Sequence, residues 1–419
     1  MTITHSEHLI PTDLVSDALL ADMARQYGTP LYVYDIDSMR GRWDLLRSLL
    51  PVGSDIYYSV KANPHPGVVG CFASLGAGLE VVSKAELDTA LSTGIAADHI
   101  ICVGPGKSRE FINQAVAVGV GAVVAESARD LRLTREAAMS RGRASVKVWL
   151  RINPGRGRAR MSTGGDTPFG LPVPEAVEQA RALKSDPWLI LSGLHAYLGT
   201  EVLAVEDVAT NTLLALGAME QVLDQAAIDA INTLDLGGGF GIPYLAQDQI
   251  PDWTVLRSLL DDRLAALLRY TAKGCRIAFE SGRFLAGPAG VFLARVLDCK
   301  QVSGSWFVIL DGGTNVFPGY GGSFGLRASP FRFLNDGNGS PVNGGNGPPV
   351  TLTLCGPLCT STDRLAVRVT MPQPSEGDIC AFYMAGAYGF SAAPGLFLGH
   401  GFAGEVCVTN GRPMKGRGV

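Results

Sequence analysis

The sequence predicts a (β/α)8 barrel followed by an antiparallel β domain. Three observations predict it. Eight short β-branched or apolar runs recur from about residue 54 to residue 283, helix-like spacers fill most of the gaps between them, and turn-separated strands take over after about residue 285. A chain of 419 residues has room for one large barrel and a companion, since domains commonly take roughly 100–200 residues.

The runs fall at 56–60, 79–82, 100–103, 122–125, 146–152, 191–196, 234–236 and 276–279. Most are too short for helices. They are also too continuously apolar for strands with one wet face, so they read as strands buried on both faces. Spacers such as 108–118, 127–140, 174–184 and 253–270 have helical character. Eight strands with helical spacers make a closed barrel, and an open doubly wound sheet is the alternative. The barrel is expected over 37–285. Beyond it, runs at 290–297, 306–310, 350–354, 366–369 and 379–384 are separated by turn-rich connections, as in antiparallel sheets. The run Leu31-Tyr-Val-Tyr-Asp35 is expected to join that sheet, so the β domain comprises 1–36 and 286–419. Residues 335–349 are nearly all turn-formers and are expected to be a mobile surface loop.

Composition excludes several classes. A net charge of −4 argues against a dedicated nucleic-acid binder, because neutralising phosphates requires a basic surplus. No apolar run approaches the ~18 residues of a membrane helix. The start, Met1-Thr-Ile-Thr-His-Ser-Glu7, lacks the basic and apolar regions of a secretory signal, so a cytosolic protein is expected. Eight cysteines in so long a chain do not form a disulfide framework. Only Cys355 and Cys359 lie close together, with no histidine at zinc-site spacing from them, so no metal site is expected.

Reactive groups in such barrels gather at the C-terminal ends of the strands. Lys61 follows the run Ile56-Tyr-Tyr-Ser-Val60. Desolvation there frees a nucleophilic amine for a Schiff base; the alternative is a lysine reaching into solvent. Leu234-Asp-Leu-Gly-Gly-Gly-Phe-Gly241 leaves backbone N–H groups open to a phosphate. It is not the dinucleotide fingerprint, because Ile242 stands where the third glycine belongs. Glu280-Ser-Gly-Arg283 places a carboxylate for a ring nitrogen and a guanidinium for a phosphate, with a surface ion pair as the plainer reading. In His195-Ala-Tyr-Leu-Gly-Thr200, a planar side chain can stack on a flat cofactor and Thr200 can bond its phosphate; a satisfied core histidine is the alternative. The arginines of 151–160 lack interleaved aromatics, which favours a solvated loop or an anion clamp over an RNA surface. Cys355-Gly-Pro-Leu-Cys359 offers a reactive thiol or buried inert sulfur.

Together these residues resemble the fold-type III pyridoxal-phosphate decarboxylases, which include ornithine and diaminopimelate decarboxylases and share an alanine-racemase-like barrel. The resemblance runs from about residue 29 to residue 409, with the motifs in the family's order. Tyr58-Ser-Val-Lys-Ala-Asn63 is similar to the cofactor-lysine motif, and Gly78-Leu-Glu-Val-Val-Ser-Lys-Ala-Glu86 to the next barrel motif. The glycine run, Glu280-Ser-Gly-Arg283, the cysteine loop and Gly386-Ala-Tyr-Gly389 complete the set. The resemblance implies that Lys61 bonds pyridoxal 5'-phosphate and that Glu280 keeps the pyridine nitrogen protonated. It implies a phosphate held by Gly239, Thr200, Arg283 and Tyr388, with Glu80, Gly238 and Gly282 lining the cofactor site. Cys359 would return a proton to carbon after carbon dioxide leaves. A homodimer is implied, in which the cysteine loop comes from the other subunit.

Departures bear on the substrate. The family usually sets histidine over the ring; here Tyr197 aligns with that position and His195 lies two residues before it. Diamine-forming members carry an acid after the catalytic cysteine, where this chain has Thr360. The Arg-Pro pair of diaminopimelate decarboxylases is replaced by Phe317-Pro after Asp311-Gly-Gly, Asp311 itself being a candidate substrate contact. Asp311-Gly-Gly-Thr-Asn315, Gly322-Ser-Phe-Gly325 and 389–400 resemble a branch acting on carrier-protein-bound glutamyl groups or citryl-amino acids, or linked to exopolysaccharide export. The resemblance therefore implies a biosynthetic decarboxylase of a modified or tethered amino acid, with an acyl carrier protein as a candidate partner. A free basic amino-acid decarboxylase is disfavoured by Thr360 and Phe317. A racemase-like isomerase would place arginine where Glu280 stands, and an inactive regulatory homologue would be expected to have lost Lys61 or Cys359.

Overall fold

The computed structural model describes residues 9–11, 14–245, 248–266, 274–318, 330–334 and 348–414. Gly322-Ser-Phe-Gly325 and positions 335–347 of the turn-rich stretch lie outside the described residues. The chain forms two compact units, one of residues 43–242 and 250–282, the other of 1–42, 243–249 and 283–419.

Strand β1 (Leu31–Asp35) belongs to the second unit. The barrel follows: β2 (Asp55–Ser59), β3 (Gly78–Val81), β4 (Ile100–Cys102), β5 (Ala122–Ala125), β6 (Val146–Asn153), β7 (Leu189–His195), β8 (Thr233–Asp235) and β9 (Arg276–Ser281). Their order is β5-β4-β3-β2-β9-β8-β7-β6, all parallel, and β6 pairs back onto β5 through Val123↔Val148. That closure excludes the open doubly wound sheet. Burial on both faces explains the unbroken apolar runs: all four residues of β5 are buried.

Helices follow the strands, and three of them start at a serine. Ser83, Ser108 and Ser127 each accept an N–H three residues on, a cap that contributes about 1 kcal/mol. Inside the barrel, Tyr57 and Trp149 meet edge to face at 6.0 Å. Glycine opposite each ring makes the space: a Cβ at Gly78 would lie 2.3 Å from Tyr57, and one at Gly193 2.6 Å from Trp149.

The second unit is a curled sheet of β1 with β10 (Gly290–Val302), β11 (Ser305–Leu310), β12 (Phe331–Phe333), β13 (Pro349–Cys355), β14 (Arg364–Pro372), β15 (Ile379–Phe382) and β16 (Gly404–Thr409). Strand β10 is the spine. Its first half pairs with β1 and β15, and after a register shift between Val296 and Asp298 its second half pairs with β11. The sheet is mainly antiparallel, but two pairings are parallel, β1 with β16 and β11 with β13. Its core includes Tyr32, Phe292, Phe317 and Phe382, with Phe292 and Phe317 stacked at 4.9 Å. Phe317 is thus a packing residue. No helix among the described residues is long and apolar enough to cross a membrane.

Candidate active site

In the barrel unit, Lys61 sits in the helical turn Val60–Ala62, directly after β2. Its Nζ donates to Glu80 Oε1 at 2.6 Å, and Ser59 Oγ donates to the other carboxylate oxygen. The register makes this contact, because Ser59 lies opposite Glu80 across β2 and β3. Glu80 is buried while the lysine side chain is 36% exposed. The lysine thus meets a buried carboxylate at the strand end. The Lys61 ammonium also lies 5.9 Å from the Tyr197 ring centre. In the neighbouring motif Glu80 faces the lysine, whereas Ser83 and Glu86 form a helix cap, with Glu86 accepting the Val82 N–H.

The ends of β7, β8 and β9 bring His195, Asp235 and Glu280 together, all buried. His195 Nε2 is 3.0 Å from Glu280 Oε1, and Asp235 accepts the Gly237 N–H at 2.9 Å. Burial alone would discharge this group. Instead, although burial is the largest single influence and lowers it, the charge and hydrogen bond of Glu280 together with Asp235 outweigh burial and hold the imidazole above its usual range. His195 in turn holds Glu280 below the usual carboxylate range despite burial. Burial, followed by the Glu280 charge, pushes Asp235 up to about 8. The three groups act on one another electrostatically, and as donors they have the composition of a cation site. His195 is thus wholly buried behind Glu280, whereas Tyr197 is half-buried.

Asp235 escaped notice in the sequence, although an acid inside the apolar run Leu-Asp-Leu was a signal. An unfolded carboxyl titrates near pH 4. Because its folded value is raised, its stabilising contribution is complete below about pH 4 and is lost as the pH rises through about 8. Asp235→Asn, close in shape to the neutral acid and unable to ionise, is expected to lose less stability than the parent between roughly pH 6 and pH 9. Thermal denaturation across that range checks it, and parallel curves for the two proteins would refute it.

Glycines pack the strand ends tightly. A Cβ on Gly238 would lie 1.9 Å from the Glu280 carbonyl oxygen, and one on Gly239 (φ 89°) 2.3 Å from that of Gly199, beside Thr200. A Cβ on Gly282 would lie 2.6 Å from Ala62 Cβ, so glycine is what lets the Glu280 strand end pack on the lysine turn. The arginine segment divides. Arg151 belongs to β6, is buried, bonds Glu126 at 3.0 Å and covers the Phe169 ring, so it is no solvated loop residue. Arg158 pairs with Asp207 on the surface, and Arg156 and Arg160 are exposed.

In the second unit, buried Arg283 donates to the Tyr244 hydroxyl at 2.9 Å, and its guanidinium lies 4.5 Å from the Tyr388 ring centre. Tyr244 was not anticipated. Tyr388 has a left-handed backbone, φ 56°, and Gly386 before it packs so closely that a Cβ would lie 1.9 Å from the Ala286 carbonyl oxygen. Cys359 is the one exposed thiol of the eight. Thr360 Oγ1 lies 3.0 Å from Thr362 Oγ1. Both Asp311 oxygens are engaged, one by Thr29 Oγ1 at 2.5 Å and the other by the Arg295 N–H at 2.8 Å.

A closed parallel barrel with a lysine at one strand end and a buried ionised carboxylate at another defines the class: a pyridoxal-phosphate-dependent amino-acid decarboxylase. Residues 36–287 match the family described as "Pyridoxal-dependent decarboxylase, pyridoxal binding domain", and the chain belongs to that family. The chain is 29% identical over 407 residues to the L-glutamyl-[BtrI acyl-carrier protein] decarboxylase of Niallia circulans, covering 95% of this chain and 92% of that one. It is 30% identical over 417 residues to the diaminopimelate decarboxylase of Zymomonas mobilis, with the same coverage. The crystal structure of Helicobacter pylori diaminopimelate decarboxylase with L-lysine superposes with a TM-score of 0.80 at 25% identity, covering 93% of this chain and 94% of that one.

The residues fit the family's cofactor. Lys61 presents an amine, Glu280 stays ionised in the interior, and the turn at Gly238 and Gly239 has no room for side chains.

Proposed function

We propose that this chain decarboxylates an amino acid whose far end is modified or tethered, on an acyl carrier protein or through a citryl linkage. The observation that carries this is Thr360, a neutral side chain where diamine-forming relatives place a carboxylate for the substrate's distal ammonium. Asp311 is a poor replacement, since structural bonds already engage both of its oxygens. The likeness to a carrier-protein glutamyl decarboxylase supports the same reading. A plain diaminopimelate decarboxylase is the second reading, favoured by the equally similar relatives of that name. Against it stands Phe317, which packs in the aromatic core where those enzymes carry arginine.

Pyridoxal phosphate, when bound, supplies an electron sink for loss of the α-carboxylate. Lys61 would hold it, with Glu80 orienting the amine. Glu280 would face its pyridine nitrogen, and pairing with His195 preserves the carboxylate charge that would keep that nitrogen protonated. In the barrel unit, Gly238, Gly239 and Thr200 would hold its phosphate, Gly282 would form part of the site's wall and Tyr197 would cover the ring; the family resemblance assigns Arg283 and Tyr388 to the phosphate as well. Cys359 returns a proton to the substrate's α-carbon, from a loop that a second copy of the chain contributes in a homodimer. The test is the rate of carbon dioxide release from free diamino acids against that from a carrier-linked glutamyl group.

A further inference from the structure

Asp363 is buried, four residues after Cys359, and the mechanism above leaves it without a task. Its carboxylate accepts the Thr314 N–H at 2.7 Å and the Thr314 hydroxyl at 3.0 Å on one oxygen, and the Leu358 N–H at 2.8 Å on the other. Its own N–H donates to the Thr360 carbonyl at 3.3 Å, and its carbonyl accepts the Gly356 N–H at 3.2 Å. Cys359 therefore lies between two residues, Leu358 and Thr360, that are each bonded to Asp363. Two glycines clear the space for the carboxylate. A Cβ on Gly313 or Gly356 would come within 2.4 Å of its oxygens. One acid thus joins the cysteine loop to the turn after Asp311.

We propose that Asp363 is a positioning residue for Cys359: it fixes the loop so that the thiol reaches the carbon it protonates. This rests on the proton-donor reading of Cys359 and names the group that makes it geometrically possible. A donor displaced by about an ångström loses on the order of ten- to a hundredfold in rate. Asparagine keeps one accepting oxygen but turns an N–H2 toward a donor, so Asp363→Asn weakens the grip without emptying the site.

The test is a double-mutant cycle on the holoenzyme, read beside thiol chemistry. Asp363→Asn is expected to lower kcat about tenfold or more with KM little changed, but by less than about twofold in the Cys359→Ala background, because coupled residues are not additive. Equal losses in both backgrounds would overturn the proposal. Iodoacetamide labelling of Cys359, followed by peptide mass spectrometry, is expected to change several-fold in Asp363→Asn. Gly313→Ala, which pushes on the carboxylate from the other side, is expected to change it likewise. These labelling rates do not depend on turnover. If Cys359→Ala turns over normally while labelling shifts, the donor reading fails and the loop anchoring stands; unchanged labelling in both variants overturns the anchoring itself.

Discussion

Lys61→Ala is expected to abolish covalent cofactor attachment and to lower decarboxylation by roughly 10³-fold or more, the scale of losing one member of a catalytic unit. The purified parent should be yellow; the variant should lose the absorption band of the lysine-linked cofactor. The effect should be large because, among the described residues, Lys61 is the one whose amine pairs with the buried Glu80 carboxylate. Borohydride reduction followed by peptide mapping should place the label on Lys61. A label on a different lysine would contradict the assignment.

The second large effect is expected at Cys359. Cys359→Ala should keep its cofactor spectrum and lose productive turnover by about 10²-fold or more, as removal of a general acid does. Its exposure on a loop, unlike the buried or half-buried setting of the other seven cysteines, suits a group that meets substrate. Wild-type rates with an unchanged product would exclude the role.

The barrel was readable because parallel strands buried on both faces leave continuous apolar runs, and the runs recur at helix-sized intervals. The second unit was less so. Strand β16 was not anticipated, and neither were the two parallel pairings, because they join segments far apart in the chain and no local pattern records the partner. The same reason hid the lysine's surroundings: Glu80 appears in its motif, but its contact with Lys61 comes from the β2–β3 register. Arg151 was grouped with the loop arginines, yet β6 continues to Asn153 and carries it inside. Asp235 and Asp363 were overlooked for a shared reason. Each is a single acid within an ordinary-looking run, and only burial shows that its carboxyl must be satisfied from within. The separation of His195 from Tyr197 was hidden too: His195 ends β7 and meets Glu280, whereas Tyr197 lies in the loop after it, its ring 5.9 Å from the Lys61 ammonium.

The most direct test of the proposed specificity compares kcat/KM for carbon dioxide release from free ornithine, lysine and diaminopimelate with that from a glutamyl group on a carrier protein and from a citryl-linked amino acid. A missing charge-assisted hydrogen bond is worth roughly 1.5–3 kcal/mol, about ten- to a hundredfold. The free diamino acids should therefore fall below the modified substrate by at least that margin. Turnover of a free diamino acid above ~10⁴ M⁻¹s⁻¹, within the ordinary enzyme range, would contradict the argument from Thr360.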